Sequence, residues 1–220
     1  MEHCQPFPLA IDAGMPLLCP AFVLENLRVK ERDAALDAEI ARLGEELRAN
    51  FGALEIGQVP GIAEVRASYR AMGIDPTKTR PSSEALLRRV LKGQGLYTVN
   101  TLVDALNFCS LRYLVPFGLY DLAHVQPPVT LRLGREGEGY EGIRKDRVNV
   151  GGRACLVDAA GAFGNPTSDS GRTKITLGTT LALVVPFLPK ETPGPRAQEI
   201  VEGTAEALLK YSLGAMGLGS

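Results

Sequence analysis

Residues 69–121 read YRAMGIDPTKTRPSSEALLRRVLKGQGLYTVNTLVDALNFCSLRYLVPFGLYD and contain two successive predicted helices. Pro81 stands where the first begins, because a residue in the first turn of a helix needs no backbone N–H donor. The apolar residues behind it recur at intervals of three and four, and Gly93 is placed to end the helix in the left-handed conformation. The second helix is predicted from Thr101 and ends before Pro116.

The second predicted helix carries an unusual polar stripe. Asn100, Asp104 and Asn107 are spaced i, i+4 and i+7, with Ser110 close to the same line. A solvated helix face is usually built from Lys, Glu, Gln and Arg, because Asn, Asp and Ser compete with the helix backbone for hydrogen bonds. The stripe therefore indicates a specific polar partner. The alternative is that Asn100 or Thr101 caps the helix while the other side chains bond nearby loops.

Hydrophobic periodicity extends the prediction outward along the chain. Further helices are predicted at residues 33–51, 62–72 and 197–211, and strands at residues 17–27, 129–133, 154–157 and 181–187. The last of these strands is apolar throughout and is expected at the centre of the sheet. The charged run 135–147 is typical of an exposed turn or hairpin, and the Gly-rich tail 214–220 is expected to fray. The pattern predicts an α+β fold with a mixed sheet flanked by helices.

Length and composition limit the function classes. The chain has 220 residues, 45 % of them hydrophobic, which favours a single domain over residues 1–220 with one sizeable core. It contains neither a run of about 18 apolar residues nor a basic, apolar leader, so we expect a cytoplasmic protein without a membrane span. Four scattered cysteines and only two histidines suggest neither a disulfide frame nor a zinc site, and we predict no metal or cofactor.

Net charge and local charge give different indications. The formal net charge of −1 argues against a generally basic nucleic-acid binder, and no sequence-specific DNA binding is expected. Residues 66–92 are locally basic, with Asp75 and Glu84 as their only acids. The cations of this segment are Arg66, Arg70, Lys78, Arg80, Arg88, Arg89 and Lys92. They either present a positive face to phosphates or form the solvated sides of two helices.

Four segments in a fixed order carry a family resemblance: VNTLVDALNFCSLRYLVPFGLYDLAHV, VTLRLGREGE, ACLVDAAGAF and SDSGRTKITLGTT. Together they resemble the B3/B4 domain of the phenylalanyl-tRNA synthetase beta subunit, in a free-standing form. That domain has a helix with a D-x-x-N core, a strand ending in H-A-F-D, a V-R strand, a G-E turn, a D-x-x-G strand and a closing S-x-V-x-x-x-T segment. The matching positions here are Asp104 with Asn107, Asp121, Leu131 with Arg132, Gly137 with Glu138, Asp158 with Gly161, and Ser170 through Thr180.

The resemblance implies a domain plan and a function. It predicts a B3/B4-like core at residues 63–186, preceded by a strand and helix within residues 1–62 and followed by a helix and tail at residues 187–220. The family's domain hydrolyses tRNA wrongly charged with tyrosine, so the implied partner is tRNA or aminoacyl-tRNA and the implied activity is deacylation in trans. The alternative is a non-catalytic module that binds tRNA or a small amino-acid-like ligand.

Two departures from the family pattern affect the implied chemistry. The histidine of H-A-F-D falls on Gly118, and the editing glutamate falls in the apolar run 183–185. No catalytic residue is therefore carried over. Activation of water by the substrate's own ribose hydroxyl requires no side-chain base, so the departures leave deacylation open.

The candidate binding residues follow from the stripe, the basic segment and the resemblance. The predicted ligand-binding residues are Asn100, Asp104, Asn107, Ser110, Tyr120, Asp121, Asp169, Ser170 and Thr173. The predicted RNA-binding residues are Lys78, Arg80, Arg88, Arg89, Lys92, Arg172 and Lys174. Tyr97 and Tyr120 are available to stack on a base. The alternative is structural: Asp169 and Ser170 tighten a turn, and Asp121 forms one.

Overall fold

The structure, a computed structural model, describes residues 2–143 and 147–213, and the tail predicted to fray lies outside the described residues. The helices are α1 (Ala34–Phe51), α2 (Ile62–Ala71), α3 (Ser82–Leu91), α4 (Thr101–Tyr113) and α5 (Gly194–Ser212). The strands are β1 (Cys4–Pro6), β2 (Leu9–Ile11), β3 (Leu17–Leu18), β4 (Phe22–Leu24), β5 (Phe117–Asp121), β6 (Val129–Leu133), β7 (Gly139–Tyr140), β8 (Val148–Asn149), β9 (Ala154–Asp158), β10 (Gly161–Gly164), β11 (Ala182–Pro186) and β12 (Leu188–Pro189). The predicted α+β class is confirmed. Among the described residues no helix is long and apolar enough to cross a membrane.

The strands divide between two four-stranded sheets, where the sequence predicted one mixed sheet. The first has the order β1-β4-β11-β5 and is antiparallel. The second has the order β10-β9-β6-β2 and is mixed, because β2 and β6 are parallel. The pairs β12-β3 and β7-β8 form separate two-stranded ladders. Strand β11 lies between β4 and β5, as predicted for the apolar run, which leaves β5 at the edge of the first sheet.

The first sheet is buried on both faces. Ala182 and Val184 of β11 pack into the cluster that includes residues of α4 and α5, whereas Leu183 and Val185 pack into the cluster shared with the second sheet. Successive residues of a strand point to opposite faces, so a strand covered on both sides is apolar throughout. The layers are therefore helices, first sheet, second sheet. Tyr120 of β5 belongs to the cluster between the two sheets.

Sequence signals set the ends of helices α2, α3 and α4. Helix α3 begins directly after Pro81, and Gly93 follows its end with φ +72°, as predicted. Helix α2 is followed in the same way by Gly73, at φ +73°. Asn100 is the N-cap of α4, which is one of the two caps considered from the sequence.

A buried carboxylate joins α3 to α2. Glu84 is fully buried and accepts hydrogen bonds from Arg66 Nε and Nη2 at 2.7 and 2.8 Å and from Arg88 Nε at 2.8 Å. Burial opposes ionisation of Glu84, but the hydrogen bonds from both arginines outweigh it and lower its pKa. The carboxylate is therefore ionised at neutral pH and holds α3 in a fixed position.

Replacement of Glu84 with Gln is expected to lower the free energy of unfolding by about 3 kcal/mol, since it leaves the Arg66 guanidinium, 11 % exposed, without its counter-charge. The matched control is Glu46→Gln, which removes the acid of an exposed pair with Arg42 and should cost less than about 0.5 kcal/mol. Urea denaturation followed by circular dichroism measures both values. Equal small losses in the two variants would contradict the structural role of Glu84.

Candidate functional site

A cavity of about 660 Å³ lies beside the edge strand β5, between α3 and α4 on one side and the loops after β10 on the other. Its polar lining consists of Ser82, Arg89, Asn107, Ser110, Thr167, Ser168, Asp169, Lys174 and Thr176. Apolar residues make up most of the remaining wall, including Leu106 of α4 and Leu119 of β5. The exposed side chain of Tyr97 forms part of the rim. An apolar hollow with a few polar groups is the usual form of a small-ligand site.

The structure brings predicted residues from distant parts of the chain to this cavity. Asn107 and Ser110 line it from α4, and Asp169 lines it from the loop after β10. Asn107 is half-buried and makes no hydrogen bond within the described residues, whereas the Ser110 hydroxyl donates to Val115 O at 2.7 Å. The Asn107 amide is therefore available to a ligand. The binding role of these residues stays a prediction.

The polar side chains in the first turn of α4 accept hydrogen bonds from backbone amides at the start of the helix. Asn100 Oδ1 accepts from the Val103 amide at 3.0 Å, and the Asp104 carboxylate accepts from the Val99 amide at 3.0 and 3.3 Å. Burial raises the pKa of Asp104 to about 6, against the lowering effect of the Val99 bond. Asn100 and Asp104 therefore act as the capping alternative describes and do not line the cavity.

Two further predicted ligand-binding residues, Tyr120 and Asp121, are buried in β5. Tyr120 is fully buried, so the expectation that it stacks on a base is wrong. Asp121 is buried at the end of β5, where its carboxylate accepts from the Ala123 amide at 3.1 Å and from the Thr179 hydroxyl at 2.7 Å. Asp121 thus forms the turn considered as its alternative role.

The residues that follow Asp169 are buried or make hydrogen bonds within the fold. The Ser170 hydroxyl accepts from the Arg172 amide at 3.0 Å, which tightens the turn, and Thr173 is buried. The Arg172 guanidinium donates to both Asp158 oxygens at 2.9 and 3.0 Å and to His124 O at 2.6 Å. Arg172 is therefore engaged in structural contacts, and none of these three predicted residues lines the cavity.

The remaining predicted RNA-binding residues lie in and around α3 or at the cavity. Lys78, Lys92 and Lys174 are exposed, and Lys174 also lines the cavity. Arg80 and Arg88 gather around the buried Glu84 carboxylate. Arg89, which lines the cavity, donates to Gly95 O and lies over the Tyr97 ring at 3.8 Å from its centroid. Of these cations, Arg89 and Lys174 line the cavity, whereas Arg88 and Lys92 line a separate depression beside residues 52–57.

An Asx turn positions Asp169. Asn165 Oδ1 accepts from the amides of Thr167 and Ser168 at 2.8 and 2.9 Å, and the Ser170 amide donates to Phe163 O at 2.9 Å. The turn returns the chain toward β10, so that Asp169 faces β5. Asn165 therefore organises this loop.

Asp169 and Tyr120 form a buried pair at the cavity floor. Asp169 Oδ1 and Tyr120 Oη are both buried, and the phenol lies next to the carboxylate. Burial raises the pKa of Asp169 to about 7, although the nearby Tyr120 hydroxyl and Leu119 amide each lower it. The residue as a whole is half-buried because it also lines the cavity. A carboxyl with this pKa changes charge near neutrality, which is a common property of functional groups.

Two glycines make room for the phenol. A Cβ placed on Gly118 or on Gly164 would lie 2.2 Å from Tyr120 Oη. Gly118 is the position where the family pattern has histidine, so the Tyr120 hydroxyl occupies the space beside that position. In the sequence, the only indication of this packing was a glycine at position 118 in place of the family's histidine.

A family model for the B3/4 domain matches residues 64–188. The chain belongs to this family. The matched span of the B3/4 domain begins in α2 and ends in β12, and it contains every residue that lines the cavity. The resemblance drawn from the sequence motifs is thus confirmed.

The chain was also compared with solved structures and with curated proteins. The chain is similar to a solved N-terminal fragment of the phenylalanyl-tRNA synthetase beta subunit from Pyrococcus horikoshii, with a TM-score of 0.49 and 12 % identity. The match covers 93 % of this chain and 48 % of that one, so the chain spans about half the length of the fragment. No curated protein matches the chain.

The raised pKa of Asp169 predicts a pH-dependent stability difference. A carboxyl whose pKa is higher in the folded chain stabilises the fold when protonated, and this contribution is lost as the pH rises from about 4 to about 7. Asp169→Asn should therefore gain stability relative to the native chain over that range, by on the order of a few kcal/mol, and level off above it. The neighbouring phenols of Tyr120 and Tyr140 have raised pKa values and stay protonated throughout.

Chemical denaturation at a series of pH values measures this difference. Asp12→Asn changes an exposed carboxyl and controls for the general effect of removing one charge. A difference for Asp169→Asn that does not vary between pH 4 and 8 would contradict the buried, high-pKa carboxyl.

Proposed function

We propose that this B3/4 protein binds the aminoacylated 3′ end of tRNA in the cavity beside β5 and hydrolyses the ester of a mischarged aminoacyl group in trans. The observation that carries the proposal is the cavity itself: α4 and the Asp169 loop meet there within the span that matches the B3/4 family. Family membership supports the tRNA-related role.

The size and lining of the cavity suit an aminoacyl group. Its volume of about 660 Å³ falls within the roughly 300–1,000 Å³ of small-molecule sites. Leu106, Leu119 and the other apolar walls suit a hydrophobic side chain, and Asn107 offers both a donor and an acceptor. This combination accommodates the amino-acid side chain and a polar ester in one hollow.

Ester hydrolysis requires a positioned water and donors for the charge that develops on the carbonyl oxygen. The Asn107 amide and the Ser168 hydroxyl are neutral donors of the lining, whereas the Thr167 hydroxyl is already shared with the Tyr69 hydroxyl at 3.1 Å. The substrate's ribose hydroxyl supplies the activation of water, so the proposal assigns no catalytic side chain.

The basic residues around α3 suit the phosphates that precede the acceptor end. Lys92 is exposed near the end of α3, and Arg89 reaches the cavity from the same helix. Because phosphate contacts dominate nucleic-acid affinity, a few ordered cations are enough to orient the strand.

One observation favours a second candidate, a module that binds without hydrolysis. Gly118 replaces the family's histidine, and a Cβ there would clash with Tyr120 Oη. A site that cannot hold the family's side chain is consistent with recognition alone. The two candidates differ in whether deacylated tRNA accumulates.

Asn107→Ala is expected to reduce deacylation of a mischarged tRNA by roughly tenfold or more, because it removes an unshared hydrogen-bonding group from the cavity. The measurement is loss of labelled amino acid from a panel of mischarged tRNAs incubated with pure protein. Asn50→Ala, at an exposed position of α1, is the matched control and should retain full activity.

Binding and hydrolysis are separated by the same panel. Retention of labelled aminoacyl-tRNA on the protein without release of amino acid would contradict the hydrolase and favour the binding module. Equal activity of the Asn107 and Asn50 variants would contradict the placement of the ester in this cavity.

Lys92→Gln is expected to weaken tRNA binding about two- to fivefold and to reduce the slope of log affinity against log salt by roughly one, because one phosphate contact is lost. Gel shifts at several salt concentrations measure both quantities. Lys190→Gln, an exposed lysine outside the basic segment and the cavity, is the control. An unchanged slope for Lys92→Gln would place the tRNA backbone elsewhere.

A further inference from the structure

A second depression lies on a different face of α3 from the cavity. It has a volume of about 550 Å³ and lies between residues 52–57, which follow α1, and side chains of α2 and α3. Arg88 and Lys92 of α3 line it, whereas Ser82 and Arg89 of the same helix line the cavity. The depression and the cavity are therefore separate and share one helix.

The arginines around this depression outnumber the acid that holds them. Arg66 and Arg88 donate hydrogen bonds to the buried Glu84 carboxylate, and Arg80 Nε lies 3.7 Å from the same group. Three guanidinium groups therefore share one negative charge. The formal net charge of the whole chain is −1, so the excess of positive charge is a local feature of this surface.

The lining of the depression keeps this excess. Its described charged residues are three cations and one acid: Arg66, Arg88, Lys92 and Glu55. Lys92 is exposed and has no ion pair within the described residues. An anion that enters the depression therefore meets net positive charge, with Glu84 buried behind the two arginines.

Part of each guanidinium group has no acceptor. Arg66 bonds Glu84 through Nε and Nη2, and Arg88 bonds it through Nε. Arg66 Nη1 and both Nη atoms of Arg88 make no hydrogen bond within the described residues. Guanidinium donors suit the geometry of phosphate oxygens, and donors that are already held in place lose little side-chain entropy when they bind.

A glycine leaves one of these donors uncovered. A Cβ on Gly57 would lie 2.6 Å from Arg66 Nη1, and the Glu84 carboxylate holds that guanidinium in position. Gly57 is not one of the glycines with positive φ, so the backbone conformation does not require glycine there. The absence of a side chain at position 57 instead opens the depression to the edge of Arg66.

We propose that this depression binds a phosphate group. A phosphate presents several acceptor oxygens, which Arg66, Arg88 and Lys92 can bond together. The volume lies within the roughly 300–1,000 Å³ of small-molecule sites and leaves room for the organic part of a phosphate ester. The phosphate belongs either to a small phosphate ester or to an RNA backbone. The site does not depend on the hydrolysis proposed for the cavity.

Inorganic phosphate is the probe for this site. Isothermal titration calorimetry on the full chain at neutral pH, with ionic strength held constant by sodium chloride, should show saturable binding of one phosphate per chain. Arg88→Gln should weaken it at least about tenfold, because charged hydrogen-bond donors are lost. The matched control is Arg42→Gln, which removes an exposed arginine outside the depression and should leave the affinity unchanged. Absence of saturable binding, or equal affinity in the two variants, would overturn the proposal.

Gly57→Ala tests access to the site without changing its charge. The added methyl group meets Arg66 Nη1, so phosphate affinity should fall several-fold although every cation is retained. This variant carries the test if Arg88→Gln fails to fold. Full phosphate affinity in Gly57→Ala would overturn the proposal.

Uncharged tRNA distinguishes the two sources of the phosphate. Gel shifts in which Arg88→Gln binds tRNA several-fold more weakly than Arg42→Gln would support an RNA phosphate as the ligand. Unchanged tRNA binding together with lost binding of inorganic phosphate would support a small phosphate ester. Phosphate binding without deacylation of any mischarged tRNA would reject the proposed function and support this site, and deacylation without phosphate binding would do the reverse.

Discussion

The side chain of Tyr120 crosses the interface between the two four-stranded sheets, and its hydroxyl ends between Gly118 and Gly164. The ring packs edge-on against Phe163 with centroids 4.9 Å apart, so β5 and β10 are held together by one large residue. A Cβ at either glycine would clash with the Tyr120 hydroxyl, so Tyr120 can occupy this position only while residues 118 and 164 are glycines. The close approach of these strands carries the loop after β10 to the edge of the first sheet, and the cavity forms where that loop meets α4.

The same packing determines the electrostatics of the site. A phenol that ends in the interior beside Asp169 removes water from one carboxylate oxygen, and burial raises the pKa of that carboxyl to about 7. In the basic segment, residues 66–92, the pKa of a buried acid is shifted in the opposite direction. Glu84, although buried, is surrounded by Arg66 and Arg88 and has a lowered pKa. Glu84 is thus charged and structural at neutral pH, whereas the pKa of Asp169 lies near neutrality because the effect of burial outweighs that of its neighbours.

Local patterns predicted the elements better than their arrangement. Helices α3 and α4, their ends and the central apolar strand followed from spacing, proline, glycine and capping residues. The division into two sheets did not follow, because β1 and β2 are three-residue strands without a readable period and their pairing depends on distant chain segments. Strand β5 was expected only through the family resemblance. At the site, Asn107, Ser110 and Asp169 were predicted and do share a cavity, whereas the burial of Tyr120 depends on Gly164, 44 residues away in the sequence.

The polar stripe of α4 has two parts with different surroundings. Its first residues bond backbone amides at the start of the helix, and Asn107 lines the cavity. The carboxylate of Asp104 bonds the Val99 amide and the carbonyl oxygen of Asn100 bonds the Val103 amide, so the first turn is fixed at both its backbone and its side chains. A helix fixed at its first turn is also fixed in rotation about its axis. Asn107, one turn further on, lines the cavity, where its amide has no hydrogen-bond partner within the described residues. The capping and binding interpretations of the stripe therefore do not exclude each other, because the capped helix also places the Asn107 amide in the cavity lining.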